Sequence, residues 1–346
     1  MMRIPRCRLT IALLAALLCA PILAADVFAQ AWVPAKGEGA VAIAFQSINV
    51  KKHLAGTTPV DAGPIQTNVL LTDVTYGVTD KIAVDLALPL VMSKYTGPRP
   101  HPGTDIDDGT YRSTFTDVRF ALRYNLTRDS AVITPYVGTV VPSHGYAFYG
   151  HAAPGQRLRE VQVGVYAAKL FDRGLPGLFI SGRYGYGFVE KVLDISHNRS
   201  LADLEVGYFF TSKFRAFTMT NVGYTHGGVD FPPGGPSALP PEYFFNHDQI
   251  QKVHHLDVGG GASYSISDTL DVFGSFAKLV AGRNGHALNR GITVGASWSF
   301  SRRKNASDVV TTTAPGPGPD TVTASAQATG RRQGSLVRCI CQKSAS

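Results

Sequence analysis

Between Ala31 and Phe300 the chain has no cysteine at all. Cys7 and Cys19 precede that stretch and Cys339 and Cys341 follow it, so no disulfide framework supports a fold there. After the first thirty residues no apolar run reaches the roughly 18 residues that a membrane-spanning helix needs, which excludes a helical membrane protein. Charged residues make up only 17% of the chain, and the formal net charge of +8 is concentrated at its ends. Residues 1–31 carry +2 and residues 301–346 carry +5, which leaves +1 for everything between. A nucleic-acid partner therefore finds no basic surface to bind.

What is present begins with an export signal. Arg3, Arg6 and Arg8 precede the apolar run LTIALLAALLCAPILAA, and Ala29 and Ala31 stand in the −3/−1 relation of a cleavage site. The mature chain is expected to start near Gln30 or Trp32. From there period-two alternation recurs in segments of about ten residues bounded by turn residues. KIAVDLALPLV sets Ile82, Val84, Leu86, Leu88 and Leu90 on one face and Asp85 on the other. FTDVRFALRYNL separates Val118, Phe120, Leu122 and Tyr124 from Asp117, Arg119 and Arg123, and SLADLEVGYFF separates Leu204, Val206, Tyr208 and Phe210 from Asp203 and Glu205.

Twelve such segments are predicted: 38–50, 66–78, 81–92, 115–126, 131–142, 158–171, 178–190, 200–210, 214–226, 252–266, 269–281 and 290–300. Their connections alternate between short (TD, TRDS, DRGLPG, TSK, SD) and long, rich in glycine, proline and polar residues. That parity is the mark of a transmembrane antiparallel β-barrel, with short turns on the periplasmic side and long loops outside. Sheet edges cannot sit unpaired in lipid, so the sheet must close. The expected organisation is all-β: a signal peptide over 1–31, an outer-membrane barrel over 32–300, and a disordered basic tail over 301–346. Its location is then the bacterial outer membrane, with lipid, lipopolysaccharide and the barrel-assembly machinery as partners, a small-molecule solute in transit, and no cofactor.

The polar parity nominates a lumen lining of Asp117, Arg119, Arg123, Glu160, Arg183, Asp203 and Glu205, with Asp73, Asp85, Asp257 and Lys278 as further candidates. Such side chains either select solutes or pair across a narrow lumen and fill it. About six residues separate the mature N-terminus from the first strand, too few for a plug domain, so any gate is expected from an inward-folded external loop. Residues 227–251 are the candidate, with Phe231, Tyr243, Phe244 and Phe245 between stiff proline segments. All ten histidines (His53, His101, His144, His151, His197, His226, His247, His254, His255, His286) fall on predicted external loops or strand rims, which raises metal capture or a pH-sensitive gate. No pair has a strong ligand spacing, and Cys339-Ile340-Cys341 is a lone C-x-C. Asp248, His254 and Asp257 in NHDQIQKVHHLD would suit an omptin-like protease, but no partner motif accompanies them, and no enzyme is expected.

FTDVRFALRYNLTRDSAVITPYVGTVVPSHGY and GHAAPGQRLREVQVGVY resemble a family of small outer-membrane barrels named for the meta-pathway of phenol degradation. Asp117, Arg123 and Tyr124 keep that family's alternating strand ending in a tyrosine, and Pro142 keeps part of its Pro-Thr-Gly strand end. Ser113 to Thr116 stand where the family has glycines, and Ser143-His144 interrupt the Pro-Thr-Gly. The resemblance implies a barrel for passive passage of aromatic or other apolar compounds; it carries no functional residues over. Competing readings are a closed barrel acting as an envelope anchor or interaction surface through its loops, and surface metal binding by the loop histidines.

Overall fold

A computed structural model of the chain describes residues 31–98, 104–127, 131–232 and 235–301. The signal-peptide expectation, apart from Ala31, and the tail from Arg302 onward lie outside the described residues, as does His101. No described helix is long and apolar enough to cross a membrane, a fact that does not bear on strands.

The strands are β1 (Glu38–Ala55), β2 (Thr58–Gly77), β3 (Ile82–Tyr95), β4 (Arg112–Phe115), β5 (Asp117–Tyr124), β6 (Val132–Pro142), β7 (Glu160–Leu170), β8 (Leu178–Val189), β9 (His197–Phe209), β10 (Phe214–Gly227), β11 (His254–Ser265), β12 (Leu270–Arg283) and β13 (Gly285–Ser301). All neighbouring pairs are antiparallel, and β13 pairs with β1 from Glu38 opposite Ser301 to Leu54 opposite Gly285. That last pairing closes the sheet. The β4 and β5 strands are one stave, because both pair with β3. The break falls at Thr116, whose N–H donates to the Pro89 carbonyl at 3.1 Å. A residue in an antiparallel ladder turns its N–H and C=O the same way, so the N–H that Pro89 lacks would face this same stave. The barrel therefore has the twelve antiparallel staves expected from the alternation.

Its inside and outside invert the soluble pattern. Ile43, Phe45, Val84, Phe120, Leu122, Tyr124, Val137, Val163, Tyr184, Leu204, Tyr208, Val294 and Trp298 are exposed on the outer face. Arg123 and Glu160, each 1% exposed, are inside. The fifth and eleventh staves, whose alternation is ambiguous in sequence, turn Val132, Thr134, Tyr136 and Val140, and Phe273 and Ser275, inward. Lys278 lies opposite Val258, which is exposed on the outer face, so it does not join the lumen.

Two expected loops are strand instead. Residues 51–65 continue β1 and β2 as a hairpin turning at Gly56, and residues 282–289 form a hairpin turning at Asn284 (φ 52°) and Gly285 (φ 73°). Both turn residues adopt the left-handed backbone that an Asn-Gly hairpin turn uses. The pairs Lys52–Ala287 and His53–His286 extend the wall of β12, β13, β1 and β2 beyond the rest of the rim.

Candidate functional site

The lumen wall carries charge pairs between staves that are neighbours or one stave apart. Arg123 on β5 donates to Asp85 on β3 through Nε and Nη2, at 2.6 and 2.7 Å, a bidentate fork. Arg183 on β8 donates to Asp203 on β9 at 2.6 Å. Arg199 on β9 pairs with Glu160 on β7, and Arg215 on β10 lies 3.5 Å from Glu205 on β9 while donating to Ser263 at 2.7 Å. The Arg215 guanidinium also faces the rings of Phe179, Phe209 and Phe217 at 5.2 to 5.8 Å. Arg119 sits opposite Ala87 and Val140 on the same face and remains exposed. Arg123, Arg183, Arg199 and Arg215 thus each have a carboxylate beside them, while Asp117 takes a tyrosine instead and the Asp257 Oδ1 is buried without a hydrogen-bond partner.

One polar chain runs further. Asn221 on β10 donates to Asp203, and its carbonyl oxygen accepts from the His255 Nε2 at 2.8 Å. Arg183, Asp203, Asn221 and His255 therefore form a continuous ladder over four staves.

Both ends of the lumen are occupied by chain. At the periplasmic end the segment before β1 turns inward, contrary to the expectation that so few residues could not obstruct the barrel. Ala31 is fully buried, and with Trp32 it packs against Val132, Tyr136, Tyr166 and Ala168. Thr134 donates to the Ala31 carbonyl at 2.5 Å and Arg123 to the Trp32 carbonyl at 3.3 Å. Gly77 makes the entry possible: a Cβ there would lie 2.3 Å from the Ala35 carbonyl oxygen.

At the external end two loops meet. Residues 228–253 fold inward as short helices over Pro241–Phe245 and His247–Ile250, with Ile250 fully buried. Phe231 is buried with its ring edge toward His247 (5.8 Å), and Phe244 stacks on His247 at 5.7 Å. Tyr243 is half-buried and accepts at its carbonyl from the Asn246 N–H, while Phe245 stays 46% exposed. The second loop, residues 143–159, was read from the sequence as an external connection but not as one that turns inward. Its Tyr149 packs on Phe245 at 5.1 Å, and its Gln156 donates to the Asp248 carbonyl at 2.6 Å and accepts at its own carbonyl from Gln249 at 2.8 Å. Tyr146 donates to Asp117, and burial raises the tyrosine's pKa. Three aromatics in SHGYAFYGHAAPGQR were the available signal.

Nine of the ten histidines lie in described residues, all at this external end. Three of them form a row of rings that starts at Tyr95: His151 stacks on Tyr95 at 4.4 Å and on His53 at 4.7 Å, and His53 lies tilted 4.4 Å from His286. Asp107 accepts from the backbone N–H of His151 and of Ala152 at 3.0 and 2.9 Å. Rings packed face to face do not converge nitrogens on a point, and among the described residues no group of three or more His, Cys, Asp or Glu side chains is placed to hold a metal ion. Of the protease candidates, Asp248 lies beside His247 at 3.4 Å and accepts from Gln251, while His254 stacks at 4.0 Å on the exposed Tyr224.

No family model matches the sequence, and no curated protein is detectably similar to it. The structure is similar to an outer-membrane channel of Pseudomonas putida F1, with a TM-score of 0.62 at 13% identity over 80% of this chain and all of that one. Weaker likenesses are the NanC porin (TM-score 0.43, 11% identity, 75% of this chain and 98% of that one) and the translocator domain of the autotransporter NalP from Neisseria meningitidis (0.44, 12%, 84% and 95%). The fold is that of an outer-membrane β-barrel.

Proposed function

We propose that this barrel sits in the bacterial outer membrane and passes small neutral molecules, with apolar and aromatic compounds as its preferred solutes. The carrying observation is the lumen itself, whose arginines other than Arg119 each have a carboxylate beside them while chain segments occupy both of its ends. A barrel that served only as an anchor would be expected to fill its interior from the wall. Arginines held by carboxylates attract anions weakly, which favours neutral over anionic solutes. The aromatic rings beside Arg215, and Trp32, Tyr136 and Tyr166 at the periplasmic end, offer surface to an apolar body. The family resemblance points the same way, and the similar fold of the Pseudomonas putida channel is compatible with it.

The test is swelling of liposomes that hold the folded protein, with benzamide and a pentose of comparable size as solutes. The full chain is expected to admit benzamide slowly and the pentose less, and deletion of residues 31–36 to speed both. Folded protein that admits neither solute, with or without that deletion, would sink the reading and leave the loops as the functional part.

A further inference from the structure

The outer face of the barrel is not uniform at its external end. On the wall of β8 to β11 it finishes in rings: Tyr184, Phe188 and Tyr224 are exposed, and Tyr224 stacks on His254. On the wall of β12, β13, β1, β2 and β3 it finishes in cations and amides. The register there sets Arg290 opposite Asn49, Asn49 opposite Gln66 and Gln66 opposite Lys94, one residue from each stave at one height. Lys278 lies one residue past the last ladder pair of β12 with β13, Ala277 opposite Gly291, which puts it beside Arg290. The parity shared with the exposed Phe45, Leu70, Val84 and Val294 turns this row outward. Lys278 thus has the place that the lumen did not give it.

Height identifies the environment. Gly39, opposite Phe300 and Tyr76, marks the periplasmic end of the same face. From Gly39 to Asn49 is ten residues, about 33 Å of strand, and a tilt of about 40° reduces that to about 25 Å of height. That is the height of the apolar band of an outer-membrane barrel, so the row meets the headgroups of the outer leaflet. The cations stand at the two ends of the row. Arg290 and Lys278 are exposed, and neither has an ion pair among the described residues. The Lys94 ammonium sits 4.6 Å from the centre of the Tyr111 ring, a contact that places it without cancelling its charge. Between these ends Asn49 donates to Gln66 at 3.3 Å, and Gln66 donates to Ser47 at 3.0 Å and to Asn68 at 3.3 Å. No carboxylate stands in the row or in the rung beneath it, Ile292, Ser47, Asn68 and Met92. Lys51 and Lys52 are exposed just beyond, with Asp61 opposite Lys52. Arg290 and Lys94 are three strand intervals apart, about 14 Å.

We propose that this row is a docking site for one outer-leaflet lipid whose headgroup is a disaccharide phosphorylated at both ends, the lipid anchor of lipopolysaccharide. Arg290 and Lys278 take one phosphate, Lys94 takes the other, and the chained amides face the sugar hydroxyls between them. The acyl chains run down over Val294, Phe45 and Leu70. A glycerophospholipid with a single phosphate reaches one end only. The inference rests on the outer-membrane placement proposed above and not on the passage of solutes.

The experiment is native mass spectrometry of the full-length folded barrel in a neutral detergent with EDTA, titrated with bisphosphoryl lipid A, monophosphoryl lipid A and phosphatidylglycerol. One bisphosphoryl lipid A per barrel is expected, held at least about tenfold tighter than the other two, the worth of one further charge-assisted contact. Lys94→Gln, and separately Lys278→Gln with Arg290→Gln, are expected to bring it down to the monophosphoryl level. Lys81→Gln with Lys213→Gln, in the turns at the opposite end, is expected to change nothing. Equal binding of the three lipids, an intact preference in a folded row variant, or an equal loss in the turn variant would each overturn the proposal. Inorganic pyrophosphate that displaces lipid A at equal concentration would overturn it too, by making the site one for free phosphate. Folding is read from heat-dependent gel migration, and if one row variant does not fold the other decides. Insertion into phosphatidylcholine vesicles, scored by protease protection, separates the two ideas: insertion without selective lipid binding removes this site alone, and failure to insert removes the membrane reading.

Discussion

Arg123 and Asp85 show how much a single position decides inside a narrow barrel. The arginine is 1% exposed and its fork engages both carboxylate oxygens of Asp85. Arg123→Met strands the Asp85 carboxylate, which retains only Thr75 as a donor at 2.6 Å. Removing one member of such a buried pair costs about 3–5 kcal/mol, whereas replacing both by apolar residues is close to neutral. Urea unfolding in detergent is expected to show a large loss for Arg123→Met and recovery in Arg123→Met, Asp85→Leu. Equal losses in the single and double variants would mean that the pair does not couple. The alternation places both residues on the polar face, but nothing in the string says that they meet, or that Arg123 also holds the Trp32 carbonyl.

The loops are the elements where sequence and structure part company. GRNGH, expected as part of an external loop, held a hairpin signal in its Asn-Gly between extended segments. The inward course of residues 143–159 was not legible, because it depends on rings from three distant strands. His151 stacks on Tyr95 and His53, and each such ring pair is worth about 0.5–1.5 kcal/mol beyond its buried area. His151→Ala is expected to loosen this loop alone, seen as faster amide exchange over 144–156 with the strands unchanged. Exchange that rises equally in β6 and β7 would refute a local role. A second clamp holds the neighbouring loop, where Asp230 accepts from Arg283 and from Asn284. The Arg283 guanidinium holds the Asp230 carboxyl below its usual pKa, with Asn284 adding to the effect. A depressed carboxylate stabilises the folded loop above the ordinary carboxylate range, and that contribution fades as pH falls through the lowered value. Protease cleavage within residues 228–253 is expected to rise in that acid range in the wild type and to vary less with pH in Asp230→Asn. The site is partly exposed, so the effect should also shrink in high salt.

For the whole molecule the question is what must move before anything crosses. The periplasmic obstruction is held by the bonds of Thr134 and Arg123 to the Ala31 and Trp32 carbonyls, by those of the Lys36 and Gly37 N–H groups to Asp80 and Gly77, and by the packing of Ala31 and Trp32. Trp32→Gly is expected to raise single-channel conductance several-fold without loss of fold. Thr134→Val, which removes the bond to the Ala31 carbonyl, should raise it less. Unchanged conductance in both would place the resistance at the external loops, where Gln156 and Gln249 tie the two inward segments together.

Alternation, loop parity and the lack of any long apolar run determined the barrel, its strand number and its lipid-facing side. Those follow from local rules, because a membrane leaves a chain without spanning helices only the closed sheet. The placement of the chemistry-bearing residues at the external end was equally legible, since histidine position follows from loop position. What only the tertiary structure decided is everything inside: which arginine meets which carboxylate, that a short leading segment enters the lumen, and that His255 joins the ladder of Arg183, Asp203 and Asn221. Side chains that meet there come from staves far apart in the chain, such as Trp32 and Arg123, and no period of the sequence encodes a meeting across a closed sheet.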